Sequence, residues 1–179
     1  MKYLVKIRQF IAEILLKRHI SKQIRLKGTF NFELAKKIGV IFNADKKSDF
    51  IISKKFIDSL IKQNIVVKSI AYINSKKLPE HLKNEPNIVF FENKDFNFFY
   101  KAKKNEIKEF INSDFDILID LCVEDYYVVN NIVRLSLSKF KVGKFNKNNY
   151  YDFMINIDRN NNLEFFINQI IQYVSKIKI

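Results

Sequence analysis

Carboxylates and carboxamides cluster at the ends of apolar runs in this chain, and that placement is the first guide to any chemistry. Within Asp114-Phe-Asp-Ile-Leu-Ile-Asp-Leu-Cys-Val-Glu-Asp125, residues 117–123 form an apolar run broken only by Asp120. Asn43 and Asp45 follow Ile-Gly-Val-Ile-Phe, Asn74 closes a run from Val66, and Asn156 and Asp158 close Tyr-Asp-Phe-Met-Ile. Short apolar runs with acidic ends suit strands covered on both faces, and open parallel α/β sheets bind ligands at the carboxyl ends of their strands. If these strands run parallel, Asn43, Asp45, Asp120, Glu124 and Asp158 meet along one edge. Asp120 and Glu124 could then ligate a metal or a substrate hydroxyl, with Asp45 and Asp158 in support. The same residue types also do structural work: Asp45, Ser48, Asp125 and residues 160–162 precede helical patterns, where side-chain oxygens cap free N–H groups. Asp120, inside an apolar strand, must find hydrogen-bond partners or shift its pKa.

Other chemistries lack their parts. Gly28, Gly39 and Gly143 are the chain's three glycines, and they cannot assemble a Walker A loop or a Gly-x-Gly-x-x-Gly turn. Tight dinucleotide binding is therefore disfavoured, although Lys46 and Lys47 at a helix start could touch a phosphate. The single cysteine, Cys122, makes neither an internal disulfide nor a cysteine-rich metal site, and it suits a small buried side chain. Neither His19 nor His81 is spaced to pair with it. No cofactor and no metal centre is expected.

Positive charge suggests a different function. With 32 Lys and Arg against 19 Asp and Glu, the net charge is +13, which favours RNA, DNA or an acidic membrane surface. The abundance of Lys, Asn, Ile and Phe also fits AT-rich coding. Arginine is sparser, and three of five (Arg8, Arg18, Arg25) lie in the first 27 residues. There, Leu4, Ile7, Ile11, Ile14 and Leu15 recur at helical spacing without proline or glycine, which predicts an amphipathic basic helix over 1–28 that stops at Gly28. Its candidate anion contacts are Lys6, Arg8, Lys17, Arg18, Lys22, Arg25 and Lys27. The segment Asp95-Phe-Asn-Phe-Phe-Tyr-Lys-Ala-Lys-Lys104 adds a second option, since Phe96, Phe98 and Tyr100 would share one face of an extended strand on which bases could stack.

Elements that position these residues follow from periodicity. Strands are expected at 37–43, 66–74, 88–91, 116–123, 140–145 and 151–157, with helices at 48–61, 104–113, 126–138 and 163–177. Residues 76–87 carry Pro79 and Pro86 and read as a loop. A β-α-β unit over 37–74 should cross over into a parallel pair. The fold class expected is α/β: a three-layer, Rossmann-like domain over 29–179 with a mainly parallel sheet, preceded by the basic helix. The 47% hydrophobic and 28% charged composition is that of a chain that folds, and no uninterrupted apolar stretch reaches the roughly 18 residues of a membrane span. A cytoplasmic location is the default expectation.

Two resemblances add to this reading. Phe115-Asp-Ile-Leu-Ile-Asp-Leu121, a helix, and then Lys139-Phe-Lys-Val-Gly-Lys144 are similar to the N-terminal half of heptosyltransferase-like glycosyltransferases. Those proteins use a second domain for the nucleotide sugar, for which 179 residues leave no room. The basic first helix, the Ile-Gly-Val-Ile-Phe, Phe-Lys-Val-Gly and Tyr-Asp-Phe-Met-Ile strands together resemble a family of short bacterial proteins of unknown function from the Bacteroidota. That resemblance implies a one-domain bacterial cytoplasmic protein and supplies no activity. The function expected is a non-enzymatic binding or assembly protein that contacts RNA or a ribonucleoprotein. The alternatives are a small transferase-like or nucleotide-binding enzyme using the acidic strand ends, and a peripheral membrane-surface protein.

Overall fold

A computed structural model describes residues 2–75, 79–82, 85, 88–148, 150–158 and 160–179, with backbone alone for 2–6. Lys6, a candidate anion contact, therefore lies outside the described side chains, as does Pro86 in the expected loop. Six strands, β1 (Lys37–Asn43), β2 (Val66–Tyr72), β3 (Val89–Phe91), β4 (Ile117–Asp120), β5 (Phe140–Lys144) and β6 (Phe153–Ile155), form one sheet in the order β3-β2-β1-β4-β5-β6. All five pairings are parallel. Helices α2 (Lys47–Ile61) and α5 (Leu163–Val174) cover one face, and α3 (Asn105–Ile111) and α4 (Tyr127–Leu135) cover the other.

Alternation along β4 separates the layers. Ile117, Ile119 and Leu121 join the core beneath α2 and α5, while Leu118 and Cys122 join the one beneath α3 and α4. At the amino edge, the buried Asp116 carboxylate accepts from the backbone N–H of Lys36 and Lys37 and from Lys139 Nζ, which ties β1, β4 and β5 together. Gly39 lets the Phe115 ring lie on β1, because a Cβ there would come within 2.7 Å of it.

The β5-to-β6 connection departs from the usual pattern. Parallel neighbours normally need a crossover of a dozen or more residues, most often with a helix. Here the described residues between Lys144 and Phe153 form no helix. Tyr151 takes the helix's place: it lies in the core shared with α3 and α4, over Gly143, where any Cβ would collide with its ring.

The first helix differs most from expectation. Helix α1 spans Lys2–Ile20 and then gives way to an extended segment well before Gly28. That segment is held by tertiary bonds in place of helical ones. Gln23 donates to the Leu135 carbonyl, Arg25 to the carbonyls of Ser138 and Lys139, and the Gly28 N–H to the Lys139 carbonyl. The large apolar residues that recur along the helix are not the ones that pack. Ala12 and Leu16 are buried, with α1 packed on α4, whereas Ile7, Phe10, Ile11, Ile14 and Leu15 face solvent.

Candidate functional site

The carboxyl edge of the sheet does gather polar residues, at the switch between β1 and β4 where strand order reverses. Asn43, Asp45, Lys46, Asp49, Asn74, Glu124 and Tyr126 line a crevice of about 220 Å³. Of the five strand-end candidates, Asn43, Asp45 and Glu124 are brought together here. Asp120 and Asp158 are not among the lining residues.

Asp45 joins two loops. Its carboxylate accepts from the backbone N–H groups of Asn74 and Ser75 at 2.9–3.1 Å and from Asn43 Nδ2 at 2.9 Å. Burial works against its ionisation, but the Asn43 amide and these N–H groups prevail and hold its pKa below the usual carboxylate value. Glu124 accepts from the Tyr126 hydroxyl at 2.9 Å. Asn43, Asp45, Asn74, Glu124 and Tyr126 in the crevice wall are thus already bonded to one another. Neither Asp45 nor Ser48 caps α2, and α4 likewise begins without a side-chain cap. Asn162 does cap α5, accepting from the N–H groups of Glu164 and Phe165. Asn156 accepts from the exposed Asp158 N–H, a local turn away from the crevice.

Asp120 points into the fold. It is 2% exposed and accepts from the Tyr151 hydroxyl at 2.7 Å and from the Cys122 N–H at 2.9 Å. Burial raises its pKa to about 6, against the lowering effect of those bonds. The carboxylate therefore fastens β4 to the helix-less crossover, a partnership the sequence did not reveal because Tyr151 lies 31 residues away. Cys122 is buried and free, and burial followed by the neighbouring Asp120 charge pushes its thiol well above the ordinary value. That is the opposite of what a nucleophile needs. Among the described residues, no group of three His, Cys, Asp or Glu side chains is placed to hold a metal ion.

Cations near the first helix divide into two sets. Arg8 donates to the carbonyls of Asn97 and Phe98 and stacks on Tyr100, 4.1 Å from the ring centroid. Arg25 is bonded to Asp152, which Lys27 also approaches at 3.4 Å. Those residues hold the fold. Lys17, though 3.8 Å from Glu13, keeps a 70% exposed side chain, and Arg18 and Lys22 are exposed. Glu13 itself is clamped by Arg134 in two bonds of 2.7 Å, chiefly responsible for its lowered pKa.

The aromatic-basic segment is a tight loop, not an extended strand. Asn97 Oδ1 accepts from the N–H groups of Phe99 and Lys101, Tyr100 adopts a positive φ of 59°, and Phe96 bridges to Ala102. Phe96 is buried, so Phe96, Phe98 and Tyr100 do not share an open face for stacked bases. Phe98 and Phe99 instead lie edge to face at 5.2 Å, 61% and 43% exposed, beside α1. Arg8 joins Phe98 to the helix, and Phe99 and Leu15 line one groove. The periodicity of α1 was legible in sequence. Which side faced water was not, because it depends on Arg8 and Glu13 pairing with distant residues. No described helix is long and apolar enough to cross a membrane.

Residues 8–177 match the profile of a family of unknown function, DUF6913, and the chain belongs to that family. No curated protein matches the sequence. Among solved structures, the chain is similar to an exopolyphosphatase-related protein from Bacteroides fragilis, with a TM-score of 0.54 at 16% identity over 80% of this chain. The chain spans 41% of that protein's length. At this identity the likeness concerns the fold, which is the Rossmann-like arrangement expected. The neighbour is not a heptosyltransferase-like glycosyltransferase, so it lends that local resemblance no support.

Proposed function

We propose that this DUF6913 domain is a non-enzymatic binding protein that attaches peripherally to an anionic membrane surface through the outer side of α1. The observation that carries the reading is the apolar stripe turned to water. Ile7, Phe10, Ile11, Ile14 and Leu15 are 38–67% exposed, and they fall on one side of the helix by their three- and four-residue spacing. Arg18 continues the same stripe, and Lys17 and Lys22 flank it. Phe98 and Phe99 extend it sideways. Contiguous exposed apolar surface of this kind marks an interaction site. An apolar stripe with basic borders fits the interface between lipid headgroups and acyl chains, where each Lys or Arg near an anionic surface adds about 1 kcal/mol. A second copy of the chain would set like charges against each other.

RNA contact would draw on the same cations. It gives no role to the five apolar side chains between them, and the arginines best suited to phosphate, Arg8 and Arg25, are engaged within the fold. An activity of the kind named for the structural neighbour would need free ligating groups at the sheet's carboxyl edge, whereas the Asp45 carboxylate is taken up by neighbouring N–H groups and Asp120 turns into the fold.

Flotation with phosphatidylcholine vesicles, with and without phosphatidylglycerol, tests the proposal. The protein should float with the anionic vesicles, less at high salt, and Phe10→Asp should weaken binding by about tenfold or more without altering the fold. Absence of flotation would overturn it. So would retention by RNA that Phe10→Asp leaves unchanged, with vesicles left unbound.

A further inference from the structure

Beyond Ile20 the chain stays on the flank against which α1 packs. Glu13 of α1 meets Arg134 of α4, Gln23 donates to the Leu135 carbonyl, and Arg25 donates to the carbonyls of Ser138 and Lys139. These contacts follow α4 through its carboxyl end towards the start of β5. The outward sides of α1 and of residues 22–27 therefore belong to one continuous flank. Side chains of an extended backbone alternate between its two sides. Gln23 and Arg25 turn inward to their bonds, and Ile24 and Leu26 turn to water.

These two are the most exposed large apolar side chains among the described residues, at 88% and 75%. Bonds at Gln23, Arg25 and Gly28 pin the chain on both sides of them, so they project from a fixed support. Holding the segment in place needs only those inward bonds, and polar side chains would serve on its outer side. Lys22 and Lys27 bracket the pair, and both are exposed. Asp152 answers the Arg25 charge closely, whereas the Lys27 side chain, 3.4 Å from the same carboxylate, stays 72% exposed. Apolar side chains set between open cations complement an anionic bilayer, in which hydrocarbon and negative headgroups lie side by side. A second copy of the chain would oppose the lysines with like charge.

We propose that residues 22–27 are a second insertion element, with Ile24 and Leu26 entering the boundary between headgroups and acyl chains of an anionic bilayer and Lys22 and Lys27 lying at its phosphates. The inference rests on the attachment through α1 and adds to it a contact outside the helix. Ile24→Trp places a reporter at this point in a chain without tryptophan. With vesicles containing phosphatidylglycerol its emission should shift to the blue and be quenched by lipids brominated on their acyl chains. Ile24→Ser combined with Leu26→Ser should weaken vesicle binding about tenfold or more while the circular dichroism spectrum stays that of the parent. A tryptophan at 24 that remains in water on vesicles to which the protein binds would overturn the inference and leave attachment through α1 standing. Binding that the double serine variant leaves unchanged would do the same. No binding of the unaltered protein would overturn both. A lipid-free dimer in sedimentation that the double serine variant disperses would assign the segment to a second copy, and so would also overturn the inference.

Discussion

Asp120 and Lys141 are buried ionisable residues whose pKa values move in ways that stability can read. The Asp120 carboxyl titrates near 6 in the fold and near the ordinary 3.9 when unfolded, so the folded state holds the extra proton between those values. Stability from this group is thus greatest in acid and declines as pH rises to about 6, by at most about 3 kcal/mol. Asp120→Asn should remove that slope. The Tyr151 hydroxyl can then accept from the new amide, and urea midpoints for the variant and the parent should diverge progressively from pH 4 to 6. Lys141 has the opposite sense. It is 3% exposed, and burial, with Arg25 next, brings its pKa down to about 7. The unfolded chain binds more protons above that value, so stability from this group rises from pH 7 towards 10. Lys141→Met, which removes a buried ammonium with only the Arg134 carbonyl at 3.3 Å as a bond partner, should stabilise the protein at neutral pH by about 1–3 kcal/mol. Sequence placed both residues in strands but gave no sign of what they faced: Asp120 looked like a ligand because its partner, Tyr151, stood at the start of an expected strand 31 residues away, with nothing local to link the two.

At the scale of elements, two attachments set where surfaces point. Arg134 and Glu13 hold α1 against α4, and the guanidinium side chain is only 10% exposed. Arg134→Ala should release the helix, lowering stability by about 2–3 kcal/mol and speeding amide exchange in residues 7–20 while the sheet stays protected. Uniform loss of protection would show that α1 is integral to the core. The β5-to-β6 crossover depends on Gly143 making room for Tyr151. Gly143→Ala should cost about 1–3 kcal/mol by displacing the ring and its bond to Asp120, visible as a lower denaturation midpoint. Nearly all strands and helices were legible from alternation and helical spacing, because those patterns follow from which side chains must be buried. The end of α1 was not: it is set by Gln23, Arg25 and Gly28 finding carbonyls at residues 135–139, a long-range contest that local propensity does not register.

For the whole molecule, the parallel sheet in the order β3-β2-β1-β4-β5-β6 carries a crevice in the position where such folds bind ligands, yet its Asp45 carboxylate serves the architecture. The apolar surface left open lies on the flank of α1, which turns Ile7, Phe10, Ile11, Ile14 and Leu15 to water. The +13 charge led to the expectation of an anionic partner, and among the described side chains of the expected anion contacts Lys17, Arg18, Lys22 and Lys27 are exposed. Depth of insertion is the most direct test of the central claim. The chain has no tryptophan, so Phe10→Trp supplies a single reporter on the outer stripe. With phosphatidylglycerol-containing vesicles, its emission should shift to the blue and be quenched by lipids brominated on their acyl chains. Emission unchanged on mixing, or a bound protein whose tryptophan remains fully in water, would contradict attachment through α1.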